Sequence, residues 1–432
     1  MLSLDRQIAT LTYQAPLPQM TRVRQRFDVE RVTDFEGDIA AAVGVFAAHV
    51  RPGTRVAVGV GSRGIANLAR IVRAVGVELR KLGAEPYVIP AMGSHGGATA
   101  EGQRAMLADL GVTEASVGIA IAGTMDVREV GRLPDGTPVH WSVDALEADG
   151  VVLVNRVKPH TDFRGPIESG LAKMCVIGLG RQQGAALIHA HGSTKGLGEI
   201  MPQAARLLVG LGKVLGGVAI LENAYDETAR LVGVLPEGIA GDHERALQAE
   251  AKQMMPSLPF DAFDTLIIDE MGKNISGAGM DPNIIGRMQI FRVPEFERPQ
   301  IATIAVLGLT EASHGNAAGV GLADFTTRRL FESINFEHTY INCVTSGIGG
   351  IQRGQLPLVL PTDADAVSAA ILTSGRADPT QATVVRIPNT LQIGELDISA
   401  TLLDAARIHP RLEIVSEPRP LQFEANGRLL PF

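Results

Sequence analysis

The chain has only two cysteines in 432 residues, Cys175 and Cys343. It can therefore hold no disulfide framework, no iron–sulfur cluster ligated by four thiolates and no Cys-rich zinc site. Basic charge is not in excess: 39 Lys and Arg stand against 47 Asp and Glu, a formal charge of −8. That balance removes the electrostatic case for nucleic acid as a partner. No apolar run reaches the roughly 18 residues that span a membrane. The opening residues, Met1 to Gln14, lack the apolar core of a signal peptide. The expectation is a cytoplasmic protein with no membrane partner. Internal repeats and low-complexity segments are also absent.

What is present is an ordinary globular composition, 45% apolar and 20% charged, long enough for two or three domains at about 150 residues each. Aromatic residues are scarce at 4%, whereas there are 48 glycines. So many glycines outside a repeat point to numerous tight turns and to backbone that approaches ligands closely.

Strand-like and helix-like stretches alternate. Val56 to Val60 reads as a β-branched strand. From Ile65 to Leu82 apolar residues recur at helical spacing (Ile65, Leu68, Ala69, Val72, Leu79, Leu82), and Gly83 is placed to end that helix. Tyr87 to Ile89, Val117 to Ala122, Val151 to Val154 and Val218 to Leu221 read as further strands, and Glu101 to Leu110 as a helix. Such alternation predicts βαβ units and mostly parallel sheets, an α/β fold. Two prolines in Met255-Pro256-Ser257-Leu258-Pro259 mark the boundary between two α/β domains, 1–258 and 259–432. The second contains strands at Thr265 to Asp269 and Ile301 to Leu307. It also contains a helix from Thr362 to Ser374, opened by a Thr362/Asp365 capping box. The tail after about Pro388 is compatible with either domain.

In open α/β sheets ligands bind beyond the carboxyl ends of the strands. Three polar blocks follow strands here. Gly59-Val60-Gly61-Ser62-Arg63-Gly64 has the form G-x-G-x-x-G. A dinucleotide site would want an acid at the end of the next strand, yet that strand ends in Pro90 with Glu85 on its wrong side. A single phosphate on backbone amides, Ser62 and Arg63 at a helix start is the simpler reading. Gly93-Ser94-His95-Gly96-Gly97 sets a histidine among glycines, with little to bury it. The third block runs from Asn155 to Gly165 and on to Lys173, with His160 at a strand end and Lys158, Arg164 and Lys173 as cations for an anionic substrate. His189 and His191 follow. Their spacing of two puts them on different faces of a helix or strand. Histidine suits proton transfer near neutrality and metal ligation. G-x-S-x-G, the Walker A motif and H-E-x-x-H are all absent.

Taken together, these blocks resemble the nickel-pincer nucleotide-dependent lactate racemase family, from about residue 55 to about residue 290. The resemblance implies two α/β domains with an active-site cleft between them. It also implies a cofactor, a pyridinium-3,5-bisthiocarboxylic acid mononucleotide, tied to a lysine as a thioamide. Its nickel is held by a carbon, two sulfurs and a histidine. On this resemblance Ser62 and Arg63 take the phosphate, His95 and His160 are the two acid/bases, and Lys173 bears the cofactor. His189 ligates nickel, with His191 as the alternative. Met280-Asp281-Pro282-Asn283 is similar to a substrate loop of the second domain, with Lys273 and Arg287 near by, and Arg164 or Lys273 would hold the substrate carboxylate. The implied reaction is inversion at C2 of a small-molecule 2-hydroxy acid, lactate-like or a sugar acid, by hydride transfer. The chain departs from the family in having Gly59 and Val60 where aspartates usually stand. Its segment between His160 and Lys173 is also longer and reads Glu-Ser-Gly-Leu-Ala-Lys. Two other readings stay open, an NAD-dependent oxidoreductase and a non-catalytic binding protein for a phosphorylated small molecule.

Overall fold

The structure is a computed structural model that describes residues 16–432. The segment Met1 to Gln14, read above for its lack of a signal peptide, lies outside the described residues. The chain forms two units, Val29–Met255 and a second made of 16–28 with Pro256–Phe432.

The first described strand, β1 (Met20–Gln25), pairs within the second unit, although the sequence places it with the first. The 29–255 unit then begins its sheet with β2 (Arg55–Val60) and β3 (Glu85–Pro90). A hairpin of β4 (Val127–Arg132) and β5 (Pro138–Ser142) stands apart as a two-stranded ribbon. β6 (Gly150–Arg156), β7 (Val214–Glu222) and β8 (Thr228–Val234) complete a five-stranded sheet in the order β3-β2-β6-β7-β8. All neighbours are parallel except β7 and β8. Because side chains alternate along a strand, Val56, Val58, Val60, Val152 and Val154 enter one apolar layer. Ala57, Val151 and Leu153 enter the other. Both faces are covered, which is why these strands read as unbroken apolar runs.

Two expectations in this unit are corrected. The helix expected from Ile65 starts at Leu68 and runs to Lys81. Val117 to Ala122 is not a strand, because Thr113 and Ser116 form a capping box that starts a short helix at Glu114. What remains of the pairing is a single bridge between Val88 and Ile121.

The second unit contains β9 (Ala262–Met271), β10 (Gln300–Leu309), β11 (Phe325–Thr327), β12 (Leu358–Leu360), β13 (Val384–Ile387), β14 (Glu395–Ser399) and β15 (Leu412–Ile414). The order of its eight strands is β12-β11-β10-β9-β13-β14-β1-β15. Strands β9 to β13 are parallel, and β14, β1 and β15 add antiparallel strands. β1 is claimed from both sides: Val23 opposes Leu396 of β14 and Ile414 of β15. These two ladders settle where the N-terminal strand and the tail after Pro388 belong. The expected capping box between Thr362 and Asp365 is present and opens the helix Asp363–Leu372. No helix among the described residues is long and apolar enough to cross a membrane.

Candidate functional site

The connections from β2 leave in opposite directions, to β3 on one side and onward to β6 on the other, so β2 and β6 flank a topological switch point. The three polar blocks lie at the carboxyl ends of these strands. Ser62 and Arg63 follow β2, His95 follows β3 and His160 follows β6. Since the next helix starts only at Leu68, Ser62 and Arg63 sit in the connecting loop and not on a helix N-terminus. The anion site at this point rests on the side chains and the loop itself. The dinucleotide reading also lacks its ribose acid, as Glu85 opens β3 at the opposite end of the sheet.

His95 and Ser62 hydrogen-bond through imidazole Nδ1 and Oγ. The His95 loop is held from behind by Gln103, whose amide donates to the carbonyls of Gly93 (2.9 Å) and His95 (3.2 Å). Buried Arg181 in turn donates to the Gln103 carbonyl oxygen at 3.0 Å. Gly96 is required here. Its φ is +65°, and a Cβ would lie 2.5 Å from the Gly102 carbonyl carbon.

His160 is fixed on every side. Its backbone N–H donates to Glu168 at 2.8 Å, Phe163 stacks on its ring with centroids 4.4 Å apart, and its side chain is only 14% exposed. Its Nδ1 accepts the backbone N–H of Asp162 at 3.0 Å, and its Nε2 lies 2.6 Å from Lys173 Nζ. A neutral imidazole whose Nδ1 accepts must carry its proton on Nε2. Nε2 then donates, and Lys173 Nζ is the acceptor. This is the geometry of an unprotonated amine.

Electrostatics move the lysine toward that form. Burial first, and then the Arg63 guanidinium, lower the Lys173 ammonium to about 8. At neutral pH about a tenth of it is then free amine. Burial and then Arg63 and Lys173 lower His95 to about 4, and burial with Lys173 lowers His160 well below the usual imidazole range. His189 is lowered by burial and by Lys173. Arg63, His95 and His189 line the site with surfaces open to water, so solvent screens their mutual repulsion. After burial, Arg63 lowers Lys173, and Lys173 lowers the three histidines; the acid among them is Asp162, 52% exposed. An anion placed here would relieve the repulsion.

Lys173 ends a single helical turn, Leu171–Lys173, that passes into a π-helical stretch, Met174–Gly178. Such widened turns recur at functional sites. His189 and His191 lie on the helix Arg181–Lys195. Helical geometry separates them: His189 is coupled to Lys173, Asp162 and His160, whereas His191 Nδ1 bonds back to the Leu187 carbonyl at 2.9 Å.

The remaining expected residues are engaged elsewhere. Arg164 faces Glu168 at 3.8 Å. In the second unit Lys273 donates to the Gly277 carbonyl at 2.7 Å, and Asn283 bonds Asp281 at a helix start. Arg287, expected as a substrate contact, has its partners within the second unit. It donates to the carbonyls of Leu322, Ile301 and Ala302 and pairs with Asp324 at 2.8 Å. Sequence reasoning gave no role to Gln103, Arg181, Glu168 and Glu244, whose partners include backbone groups that no motif marks.

Fold and site thus define an α/β protein with a cationic histidine–lysine site at a sheet switch point. Residues 45–196 of the chain match the lactate racemase N-terminal domain family. Its fold is similar to the lactate racemase apoprotein from Thermoanaerobacterium thermosaccharolyticum, with a TM-score of 0.51 at 10% identity. That likeness covers 87% of this chain and 99% of the other. It is also similar to a protein from Thermotoga maritima, with a TM-score of 0.52 at 13% identity over 85% of this chain and 99% of that one. No curated protein matches it.

Proposed function

We propose that the protein is a racemase or epimerase that inverts the C2 centre of a 2-hydroxy acid. The observation that carries this reading is the 2.6 Å contact between His160 Nε2 and Lys173 Nζ within a set of cations. It lies in a stretch that matches the lactate racemase N-terminal domain.

The donor set suits a nickel-pincer nucleotide. Among the described residues no three His, Cys, Asp or Glu side chains gather as a metal site. A metal ion here therefore needs ligands brought by the cofactor, with His189 adding one imidazole. Arg63 and Ser62 would take the nucleotide phosphate, and the Lys173 amine would bear the covalent link. When bound, such a group supplies a hydride acceptor for the carbon next to the carboxylate.

The chain's own residues handle the protons. His95, neutral because burial and Arg63 disfavour its charge, can take the substrate hydroxyl proton at Nε2, since Nδ1 is engaged with Ser62. His160 holds its proton on Nε2, directed at Lys173. With the Lys173 nitrogen held in such a link it would no longer accept, and the proton-bearing Nε2 of His160 would face the site. His95 would then be the base on one side and His160 the proton-bearing imidazole on the other.

The test is intact mass and metal content of the chain co-expressed with the enzymes that make the cofactor. Wild type should carry a mass adduct on Lys173 and retain nickel, and Lys173→Ala should have neither. An unmodified Lys173 in wild type removes the reading.

A further inference from the structure

The segment that carries His160 and Lys173 is held not only by its own residues but also from a neighbouring helix. Glu244, Gln248 and Lys252 lie at i, i+4 and i+8 on the helix Asp242–Met254, hence along one face. Each reaches the backbone or a carboxylate of residues 157–173. The Glu244 carboxylate accepts the Ala172 N–H at 2.9 Å and, on its own side, the Ala240 N–H at 2.8 Å. Gln248 Oε1 accepts the N–H groups of Glu168 (3.0 Å) and Ser169 (3.3 Å). Lys252 donates to Glu168 at 2.6 Å, and the same Glu168 accepts the His160 and Gly165 N–H groups. Glu244 and Glu168 expose no surface at all.

The segment is shaped to receive this face. A Cβ on Gly170 would lie 2.4 Å from Glu244 Oε1, so only glycine admits the carboxylate there. A buried carboxylate held by backbone amides costs stability unless it fixes something. Apolar residues would pack this helix more simply.

We infer that Glu244, Gln248 and Lys252 are positioning residues that fix the His160–Lys173 pair, and with it the imidazole tautomer and the lysine amine. The inference rests on the proposed function for its meaning, but its test does not use activity. The readouts are the ¹⁵N shifts of the His160 imidazole and the rate at which acetic anhydride modifies Lys173 at pH 7, in the full chain without cofactor. Wild type should show the proton on Nε2 and a fast-reacting Lys173. Glu244→Gln and Gly170→Ala, which disturb the same contact from opposite sides, should each abolish the Nε2–H signature. Each should also slow Lys173 at least about tenfold, the effect of moving its ammonium up by one unit. The double variant should be no worse than either single one, since both break one contact. Leu247→Ala, which opens the apolar core of the same helix, should lower the melting temperature and leave both signals in place. Unchanged signals in Glu244→Gln, or equal loss in Leu247→Ala, would overturn the inference. A wild type that shows both signals but never gains a cofactor adduct would sink the proposed function and leave the clamp standing.

Discussion

The two sheets treat their interior charges in opposite ways. In the second unit Arg386 grips Asp269 with two bonds of 2.8 and 2.7 Å, and Arg22 grips Asp397 at 2.5 and 3.1 Å. The Phe432 ring lies under both guanidiniums, 3.8 and 5.2 Å from its centroid. Two cations meet two anions, and the account closes without a ligand. In the 29–255 unit burial, Arg63 and Lys173 disfavour further positive charge on the lysine and three histidines, with the half-exposed Asp162 as the acid among them. Balanced charge there builds architecture. Unbalanced charge here leaves room for an anion.

The contrast can be broken most sharply at the histidines. His95→Ala or His160→Ala should slow both directions of interconversion together by about 10²–10⁴-fold, the usual cost of one positioned acid/base. Loss in one direction alone would violate the fixed equilibrium constant and expose an assay fault. Next, Arg386→Met should destabilise the chain by about 3–5 kcal/mol, because it leaves buried carboxylates unpaired. Lys173→Met, by contrast, should hold or raise the thermal midpoint. Equal losses in the two variants would erase the distinction between the regions.

Arg63→Met sharpens the comparison on the ligand side. It should weaken binding of a nucleoside monophosphate by about 1.5–3 kcal/mol, the scale of one charged hydrogen bond, as read by calorimetry. The smallest effect concerns pH. His95 titrates lower when folded, near 4, than its ordinary 6.5. The folded state therefore binds fewer protons in that window, and stability should fall as pH drops from 6.5 toward 4. For Lys173 the window is about 8 to 10.5, and stability should rise with pH across it. Adding phosphate should flatten both slopes, as followed by thermal melts.

The strand-end placement of His95 and His160 was legible because each comes after an apolar run that could only be a buried strand, and strand ends are where such sheets place ligands. The strands β2, β6 and β9 were legible for the same reason. β1 was not: Met-Thr-Arg-Val-Arg-Gln alternates like any edge segment, and only its two ladders, formed hundreds of residues away, assign it. Val117 to Ala122 was misread because β-branched content outweighed the Thr113-x-x-Ser116 cap, which was the available signal. Arg287 was read as a substrate cation, and nothing in the sequence marks that its guanidinium also serves carbonyls. Glu244 and Gln248 were invisible for a related reason, since their partners are amides and amides have no sequence. The spacing of the two residues, opposite the glycine at Gly170, was the one clue.

The most direct measurement is chiral chromatography of each pure enantiomer of a panel of 2-hydroxy acids, sugar acids included, incubated with the cofactor-loaded chain. The account predicts that at least one acid converges on the same mixture from both sides, and that Lys173→Ala, carrying no cofactor, produces none of it. A wild-type chain with cofactor on Lys173 that interconverts no member of the panel would contradict it.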